Sequence, residues 1–426
     1  MLTTPTLPAC FATPETALDM RRAHPFQALF VTALATLACT ATADDLDTDG
    51  TPEAVAATPT LAPPPTVFVH PGVLVSQPQL EFVRTQVNAG AQPWTDAYHQ
   101  MMASSYASLT RAPHPRANVE CGSQSKPNNG CTDEREDAIA AYTLALAWYI
   151  TKNPAYATKA ISIFDAWSAI LTTHTKSNAP LQTGWAGSVW PRAAEIIRYT
   201  YTGWSSVSIT KFTNLLRTVY LPVVIKGSTS NGNWELTMLE AAVGIAIFLD
   251  DHASYNTAIT KYRARVPAYF YLSTDGALPV KPPGTNDTAA QIIAYWQGQS
   301  TFIDGLAQET CRDFTHTGYG ISSTSHIAET ARIQKQDLHS EIRERLRQGL
   351  GFHAKYQVGS AVPRWLCGGS LKLGLGPVTE VGFNALHNRL GIAMTNTQAL
   401  TEHQRPAGTN NLFVAWETLT HANNPM

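Results

Sequence analysis

Three side chains in one short stretch could together remove a proton from carbon. Arg312, His316 and Tyr319 are spaced at i, i+4 and i+7, so in a helix they would share one face. Thr317-Gly318 instead favours a loop or a late helix start. A free tyrosine has a pKa of about 10, and a nearby guanidinium lowers it towards a usable base. The alternative is a buried tyrosine beside a structural arginine and histidine.

A second polar cluster precedes a strongly apolar stretch. Asn231 and Asn233 flank a glycine, and Trp234 follows directly. One asparagine amide could bind a substrate oxygen while Trp234 stacks on a sugar ring. Asparagine beside glycine before a helix is also typical of a turn or an N-cap, so both interpretations stay open.

A third cluster is suited to an acidic sugar. Trp185, Trp190 and Arg192 are expected at the mouth of a helix opened by a proline. Exposed indole rings could stack on sugar, and the guanidinium could bind a carboxylate through two hydrogen bonds. At least one of the two tryptophans could instead be a core residue. Arg364 and Trp365 could extend such a groove.

Helical periodicity covers most of the chain, and convincing strands are scarce. Apolar residues recur at helical spacing in pairs of segments separated by short turns. The pairs are 137–150 with 156–170, 189–201 with 209–220, 234–249 with 255–271, and 325–335 with the stretch up to 356; a further helix is predicted over 289–306. Repeated helix pairs predict an all-α array or closed ring, with function in the long loops.

Composition narrows the possible functions. The 426 residues are 44% hydrophobic and 15% charged, a composition too apolar for a disordered chain, and the length suits one large domain or two medium ones. Thirty Lys+Arg against 32 Asp+Glu give a net charge of -2, so no basic field for nucleic acid exists. Motifs of serine hydrolases, P-loop proteins and dinucleotide-binding proteins are absent from the sequence.

The N-terminus reads as a secretory signal. Arg21 and Arg22 precede an apolar segment at 26–38, and small residues follow it. We expect residues 1–43 to be a signal peptide, with Met20 as a possible true start. The alternative is a single membrane anchor, although the segment is short for a bilayer span.

A linker is predicted between the signal and the folded domain. Residues 44–66 are acidic and then rich in proline, alanine and threonine, a composition that buries little apolar area. The domain is therefore expected over 67–426. Export implies a secreted or periplasmic protein with no membrane segment after processing.

Four cysteines remain after processing. Export favours disulfides, and Cys121 with Cys131 brackets a turn-rich loop, which leaves Cys311 with Cys367 as a second pair. Four cysteines allow three pairings, and four buried thiols are an alternative. No CxxC or HxxxH spacing supports a zinc site.

Several blocks resemble proteins with an alginate lyase domain, over roughly residues 67–420. These blocks are 70–94, 121–151, 185–200, 230–251 and 309–320. The resemblance implies an incomplete (α/α) toroid and β-elimination on a uronic-acid polymer such as alginate or glucuronan. In this family an asparagine and a histidine neutralise the uronate carboxylate, and a tyrosine removes the C5 proton.

The resemblance also assigns roles by position. Tyr319 is similar to the family's base and acid, and Arg312, seven residues earlier, matches the family's arginine. One departure is that no histidine follows the asparagine in this motif. The neutralising group is therefore expected to be Asn231 or Asn233, with help from His316.

The predicted function is that of a monomeric lyase with an anionic polysaccharide substrate and no metal or cofactor. Two rivals remain. An inverting glycoside hydrolase on an (α/α) barrel would use two carboxylates among Glu235, Glu309 and Asp313. A secreted carbohydrate-binding protein would bind polymer without cutting it.

Overall fold

The computed structural model describes residues 61–426. The predicted signal peptide at 1–43, and the linker up to residue 60, lie outside the described residues. The α-helices are α1 (Gln77–Asn88), α2 (Trp94–Ala103), α3 (Cys131–Thr151), α4 (Pro154–Ile170), α5 (Ala179–Thr200), α6 (Ser206–Leu215), α7 (Leu221–Val224), α8 (Gly232–Phe248), α9 (His252–Arg265), α10 (Ala289–Tyr295), α11 (Phe314–Ile333), α12 (Leu338–Gln357), α13 (Glu380–Phe383), α14 (Thr395–Gln404) and α15 (Glu417–His421). Two π-helical stretches, Leu216–Tyr220 and Asn384–Arg389, follow α6 and α13.

The long helices form two layers of a ring. The inner helices contact one another in the order α3, α5, α8 and α11, and α13, α15 and α1 complete the circuit. On the outside, α4 packs on α3, α9 on α8 and α12 on α11. The short elements on one side make this an incomplete (α/α) toroid, as the family resemblance implies; the helix pairs alone predicted an all-α array or closed ring.

Burial explains which helix lies in which layer. Every residue of α8 except Trp234 is buried, and α11 is buried except at Thr315, His316, Tyr319 and Arg332. A helix that is buried on all sides needs apolar or small residues around its whole circumference. The outer helix α12 keeps a half-buried face instead, which carries Glu341, Arg343, Glu344 and Arg345.

Five short strands form two small sheets beside the helical ring in the described part of the chain. Strand β1 (Gly72–Val73) pairs antiparallel with β2 (Val75–Ser76). Strand β3 (Asn118–Cys121) pairs antiparallel with β4 (Asn128–Asn129) and parallel with β5 (Thr173–Thr175). The three-stranded sheet lies beside the first turns of α3 and α5.

Two disulfides are formed, Cys121–Cys131 and Cys311–Cys367. This confirms the predicted pairing. The first bridge closes the β3–β4 loop at the start of α3, and the second ties the segment before α11 to a loop more than fifty residues later.

Three predicted element boundaries are wrong. Helix α11 begins at Phe314, before Thr317-Gly318, because Asp313 caps it by accepting a hydrogen bond from the His316 amide at 2.8 Å. Helix α5 begins at Ala179, so Pro191 lies inside it and packs over Gly244. Helix α10 ends at Tyr295, since Gln297 and Gly298 adopt positive φ.

The domain's contacts begin before Val67. The amide of Ala62 donates to Glu341 at 2.8 Å, and its carbonyl accepts from Arg263 and Gln336. The last part of the predicted linker is therefore fixed to the outer helices. Among residues 61–426, no helix has the length and hydrophobicity needed to cross a membrane.

Candidate active site

The residues singled out by sequence meet at one end of the ring. Each inner helix is followed by an outer helix that returns, so the inner helices run parallel and their N-terminal ends lie together. Arg135 of α3, Gln182 of α5, Asn233 of α8 and His316 of α11 all belong to first turns of inner helices. Helix N-termini carry partial positive charge, so this end of the ring favours an anionic ligand.

The first turn of α11 fixes the protonation pattern of His316. Its Nδ1 lies 2.7 Å from Asp313 Oδ1, and its Nε2 lies 2.9 Å from Arg312 Nη2. Because arginine only donates, Nε2 must accept and Nδ1 must carry the proton. Burial alone would raise the pKa of Asp313, but the hydrogen bonds and charge from His316 and Arg312 hold that pKa below its ordinary value.

A buried carboxylate joins α8 to this turn. Glu309 is fully buried and accepts from the Asn233 amide at 3.1 Å, Asn233 Nδ2 at 2.7 Å, Tyr269 at 3.2 Å and Arg312 Nη1 at 2.8 Å. Gly232 permits this arrangement, since a Cβ there would lie 2.2 Å from the Tyr269 ring. Glu309 therefore fixes the orientation of Arg312.

The two asparagines have different environments. Asn233 is fully buried, its Nδ2 is held by Glu309, and its Oδ1 has no hydrogen-bond partner among the described residues. Asn231 is half-buried, and its Oδ1 accepts from Gln308 Nε2 at 3.1 Å. That bond leaves the Asn231 Nδ2 group as the available amide donor.

Tyr319 lies on the open side of α11 between aromatic walls. Its ring packs edge-on against His316 at 5.5 Å, Phe413 at 6.0 Å and Trp185 at 6.2 Å between ring centroids. Its hydroxyl makes no hydrogen bond with another described residue. The ring is thus held firmly while the oxygen stays free to bind a ligand.

The pKa of the Tyr319 phenol is raised, which corrects the expectation that a guanidinium would lower it overall. Burial is the main cause and the Asp313 charge adds to it, while Arg135 and Arg312 act in the opposite direction. The two cations limit the increase but do not cancel it. The phenol therefore carries its proton at neutral pH.

Arg135 is a site residue that sequence reasoning missed. It is 7% exposed, and its guanidinium lies 5.4 Å from the Trp185 ring centroid. Nη1 donates to Gln182 at 2.7 Å, and the buried Nε has no partner among the described residues. Trp185 contacts both Arg135 and Tyr319, since its ring centroid also lies 6.2 Å from that of Tyr319, and the Arg135 charge acts to lower the Tyr319 pKa.

Gln182 holds Arg135 in place from below. Its Nε2 donates to Glu134 at 2.6 Å, and Glu134 also binds His174 at 2.7 Å and the Tyr220 hydroxyl. In the sequence, Arg135 looks like part of an acidic first turn of α3. Its charge could have indicated a role in the site, because a cation near the N-terminus of a helix is unfavourable beside the positive end of the helix dipole.

The other predicted binding residues divide between site and core. Trp185 borders Tyr319 and Arg135, and Trp234 is half-buried at the start of α8. The assignment of Trp190 and Arg192 to substrate is wrong: both are at most 1% exposed. Because α5 begins at Ala179, these positions fall in mid-helix and face the core.

Both core residues have internal partners. Trp190 Nε1 donates to the Tyr220 hydroxyl at 2.9 Å. Arg192 donates to the Phe413 carbonyl at 2.8 Å and to Glu240. Glu240 in turn binds His326 at 2.8 Å, and its charge offsets burial to raise the His326 pKa to about 9. Arg192 thus stabilises the segment that carries Phe413.

The three carboxylates that a hydrolase could use all bind other residues of the protein. Glu235 is paired with Arg265 at 2.5 Å, Glu309 holds Arg312, and Asp313 caps α11 and binds His316. Each makes a structural ion pair or hydrogen bond. The geometry therefore favours tyrosine and arginine chemistry at this site over two-carboxylate hydrolysis.

Comparisons with known proteins find similarity to one family in sequence and in fold. A model described as "Alginate lyase" matches residues 85–280. Over that segment, which is a little under half of its length, the chain is similar to alginate lyases. The matched segment includes Arg135, Trp185 and the Asn231–Trp234 stretch, whereas Arg312 and Tyr319 lie beyond it. No curated protein sequence matches the chain.

Solved structures share the fold at low sequence identity. Alginate lyase A1-III from Sphingomonas species A1 has a TM-score of 0.57 at 16% identity, covering 84% of this chain and 97% of that one. A tyrosine-to-phenylalanine variant of that enzyme, complexed with a tetrasaccharide, gives 0.55 at 15% identity, with the same coverage of 84% and 97%. An alginate lyase from Bacteroides ovatus gives 0.52 at 13% identity, covering 83% and 99%.

Proposed function

We propose that this protein is a polysaccharide lyase that cleaves alginate or a related polyuronate by β-elimination. The observation that carries the proposal is the Tyr319 hydroxyl, which has no partner among the described residues and lies near two guanidinium groups, those of Arg135 and Arg312. The family match and the similarity of fold to alginate lyases support the same reaction class.

The proposed reaction uses one oxygen twice. Tyr319, as phenolate, removes the C5 proton of the uronate. The C4–O bond then breaks as a C4=C5 double bond forms, and the phenol returns its proton to the leaving glycosidic oxygen. Atoms and charge balance without a second acid. A positioned base of this kind contributes roughly 10²–10⁴-fold in rate.

Proton removal requires neutralisation of the neighbouring carboxylate. Because Asn233 Nδ2 is held by Glu309, its role is to orient Arg312 through that shared carboxylate. The available donors are Asn231 Nδ2 and the guanidinium groups of Arg135 and Arg312; both ring nitrogens of His316 are already bonded to Arg312 and Asp313. Preorganised donors aimed at developing charge supply a large part of enzymatic rate enhancement.

The charges around Tyr319 determine how readily its phenol ionises. Burial and Asp313 raise its pKa, while Arg135 and Arg312 lower it. The phenolate fraction below the pKa rises tenfold per pH unit, so turnover is expected to increase towards alkaline pH.

The location and the oligomeric state of the enzyme are proposed from the sequence. A signal peptide at 1–43 would deliver the enzyme to the periplasm or the medium, where anionic polysaccharide is encountered. The domain is proposed to act as a monomer, and no cofactor takes part in the proposed step.

One assay tests the function and its main rival. Purified polymannuronate, polyguluronate and glucuronan are incubated with the protein, and ultraviolet absorbance and new reducing ends are followed together. A lyase produces both signals because each cut creates an unsaturated uronide. New reducing ends without absorbance would establish hydrolysis, and binding without either signal would establish a non-catalytic role.

A further inference from the structure

A pocket lies beside the segment that carries Arg312 and Tyr319. It has a volume of about 360 Å³, within the range of small-molecule sites. Two short stretches, residues 297–300 and residues 364–368, form its walls together with Cys311. None of these residues has a role in the elimination proposed above.

The lining offers groups that recognise an acidic sugar. Arg364 is exposed, and its side chain makes no ion pair or hydrogen bond with another described residue. Trp365 is half-buried beside it. An unpaired guanidinium can bind a carboxylate through two parallel hydrogen bonds, and an indole face can stack on a sugar ring.

The pocket is held rigidly before any ligand binds. Gln299 is 4% exposed, and its Nε2 donates to the Trp365 carbonyl at 3.1 Å. Its Oε1 accepts from the Cys367 amide at 3.0 Å, and Cys367 is bridged to Cys311. These bonds fix the two walls relative to each other, which lowers the entropy cost of binding.

The same bonds connect the pocket to the catalytic helix. Cys311 directly precedes Arg312, so their Cα atoms are about 3.8 Å apart. The Phe314 amide donates to the Lys372 carbonyl at 2.8 Å, and the Thr315 hydroxyl donates to the Gly374 carbonyl at 3.0 Å. The segment that follows Arg364 and Trp365 in the chain is therefore bonded to the start of α11.

We propose that this pocket is a distal subsite, in which Arg364 binds the carboxylate and Trp365 the ring of a second uronate of the same polymer chain. The inference rests on the proposed function and deepens it. The substrate is then a polyuronate long enough to reach from Tyr319 to Arg364. Short oligouronates occupy only the catalytic end.

The test compares affinity across chain length without requiring turnover. Arg364→Ala and Trp365→Ala are each made in a Tyr319→Phe background, and binding of oligouronates of increasing length is measured by calorimetry. We expect binding of the polymer and of the longest oligomers to weaken roughly tenfold or more, and that of the shortest ligand to stay unchanged. The Arg364 effect should shrink at high salt.

A matched control removes an exposed arginine elsewhere. Arg217 lies on the π-helical stretch beside α6, outside the pocket, and Arg217→Ala should leave binding unchanged at every length. Thermal unfolding of each variant verifies that the fold is kept.

The possible failures are distinguishable. If the Tyr319→Phe protein binds no polyuronate, the proposed function fails and the subsite fails with it. If polymer binds but the pocket variants match the control, only the subsite is wrong. Equal weakening at all lengths, including the shortest ligand, also overturns a distal role.

Discussion

Tyr319→Phe separates chemistry from stability, because it removes one oxygen that has no partner among the described residues. The phenyl ring keeps its edge contacts with Trp185, His316 and Phe413. No buried hydrogen bond is lost, so the free energy of unfolding should change by less than about 1 kcal/mol.

The effect on turnover should be far larger. Loss of the base that also serves as the acid removes roughly 10²–10⁴-fold in kcat. At about 1.4 kcal/mol per tenfold, this corresponds to about 3–5 kcal/mol of transition-state stabilisation. The KM and the calorimetric affinity for polyuronate should remain close to those of the parent, because the ring and the cations are unchanged.

Initial rates from ultraviolet absorbance, with binding and urea unfolding measured in parallel, provide the readout. Tyr255→Phe is the matched control: its buried hydroxyl donates to Gln336 Oε1 at 2.9 Å. Its removal should cost about 1–3 kcal/mol of stability and leave activity intact. A Tyr319→Phe protein with more than a tenth of the parent kcat would refute the assignment of the base.

Three further predictions follow from particular contacts. Arg135→Gln should lower kcat/KM by about 10²-fold and move the pH–rate profile to higher pH, because a cation that lowers the Tyr319 pKa is lost. An unchanged pH–rate profile would show that Arg135 does not influence the ionisation of Tyr319. Replacing both Cys311 and Cys367 with alanine should lower the free energy of unfolding, measured in urea, by about 4 kcal/mol, because the bridge closes a loop of 56 residues and so reduces the entropy of the unfolded chain. An unchanged free energy would show that the bridge does not stabilise the fold. Burial lowers the pKa of His353 from 6.5 to about 4. Below pH 6.5 the unfolded chain therefore binds more protons than the folded chain. The free energy of unfolding falls by about 1.4 kcal/mol for each unit by which the pH is lowered from 6.5 to about 4. His353→Gln should flatten this slope between pH 7 and 5, and an unchanged slope would contradict the assignment.

Local chemistry made a large part of the site predictable. The sequence singled out Arg312, His316 and Tyr319 but left open whether they lie on a helix or in a loop; the structure places His316 and Tyr319 on α11 and Arg312 just before it, because Asp313 caps the helix. The disulfide pairing could be anticipated for a similar reason, since a turn-rich loop between Cys121 and Cys131 favours their bridge.

The position of the binding tryptophans could not be read in the same way. Trp190 and Arg192 lie on an inner helix that is buried on nearly every side. In such a helix no amphipathic stripe distinguishes a face towards ligand from a face towards core. Sequence periodicity therefore identified the helix but not the direction of its side chains.

The sequence by itself predicted the helix pairs, favoured the Cys121–Cys131 bridge and singled out Tyr319 as a candidate base, because these inferences depend on residue type and near-neighbour spacing. Only the tertiary structure decided that Arg135 lies near Tyr319 and that Glu309 holds Asn233 and Arg312 together. Those contacts join first turns of different inner helices. Their proximity comes from the parallel packing of helices in a ring, which pairs residues far apart in the chain and leaves no local pattern.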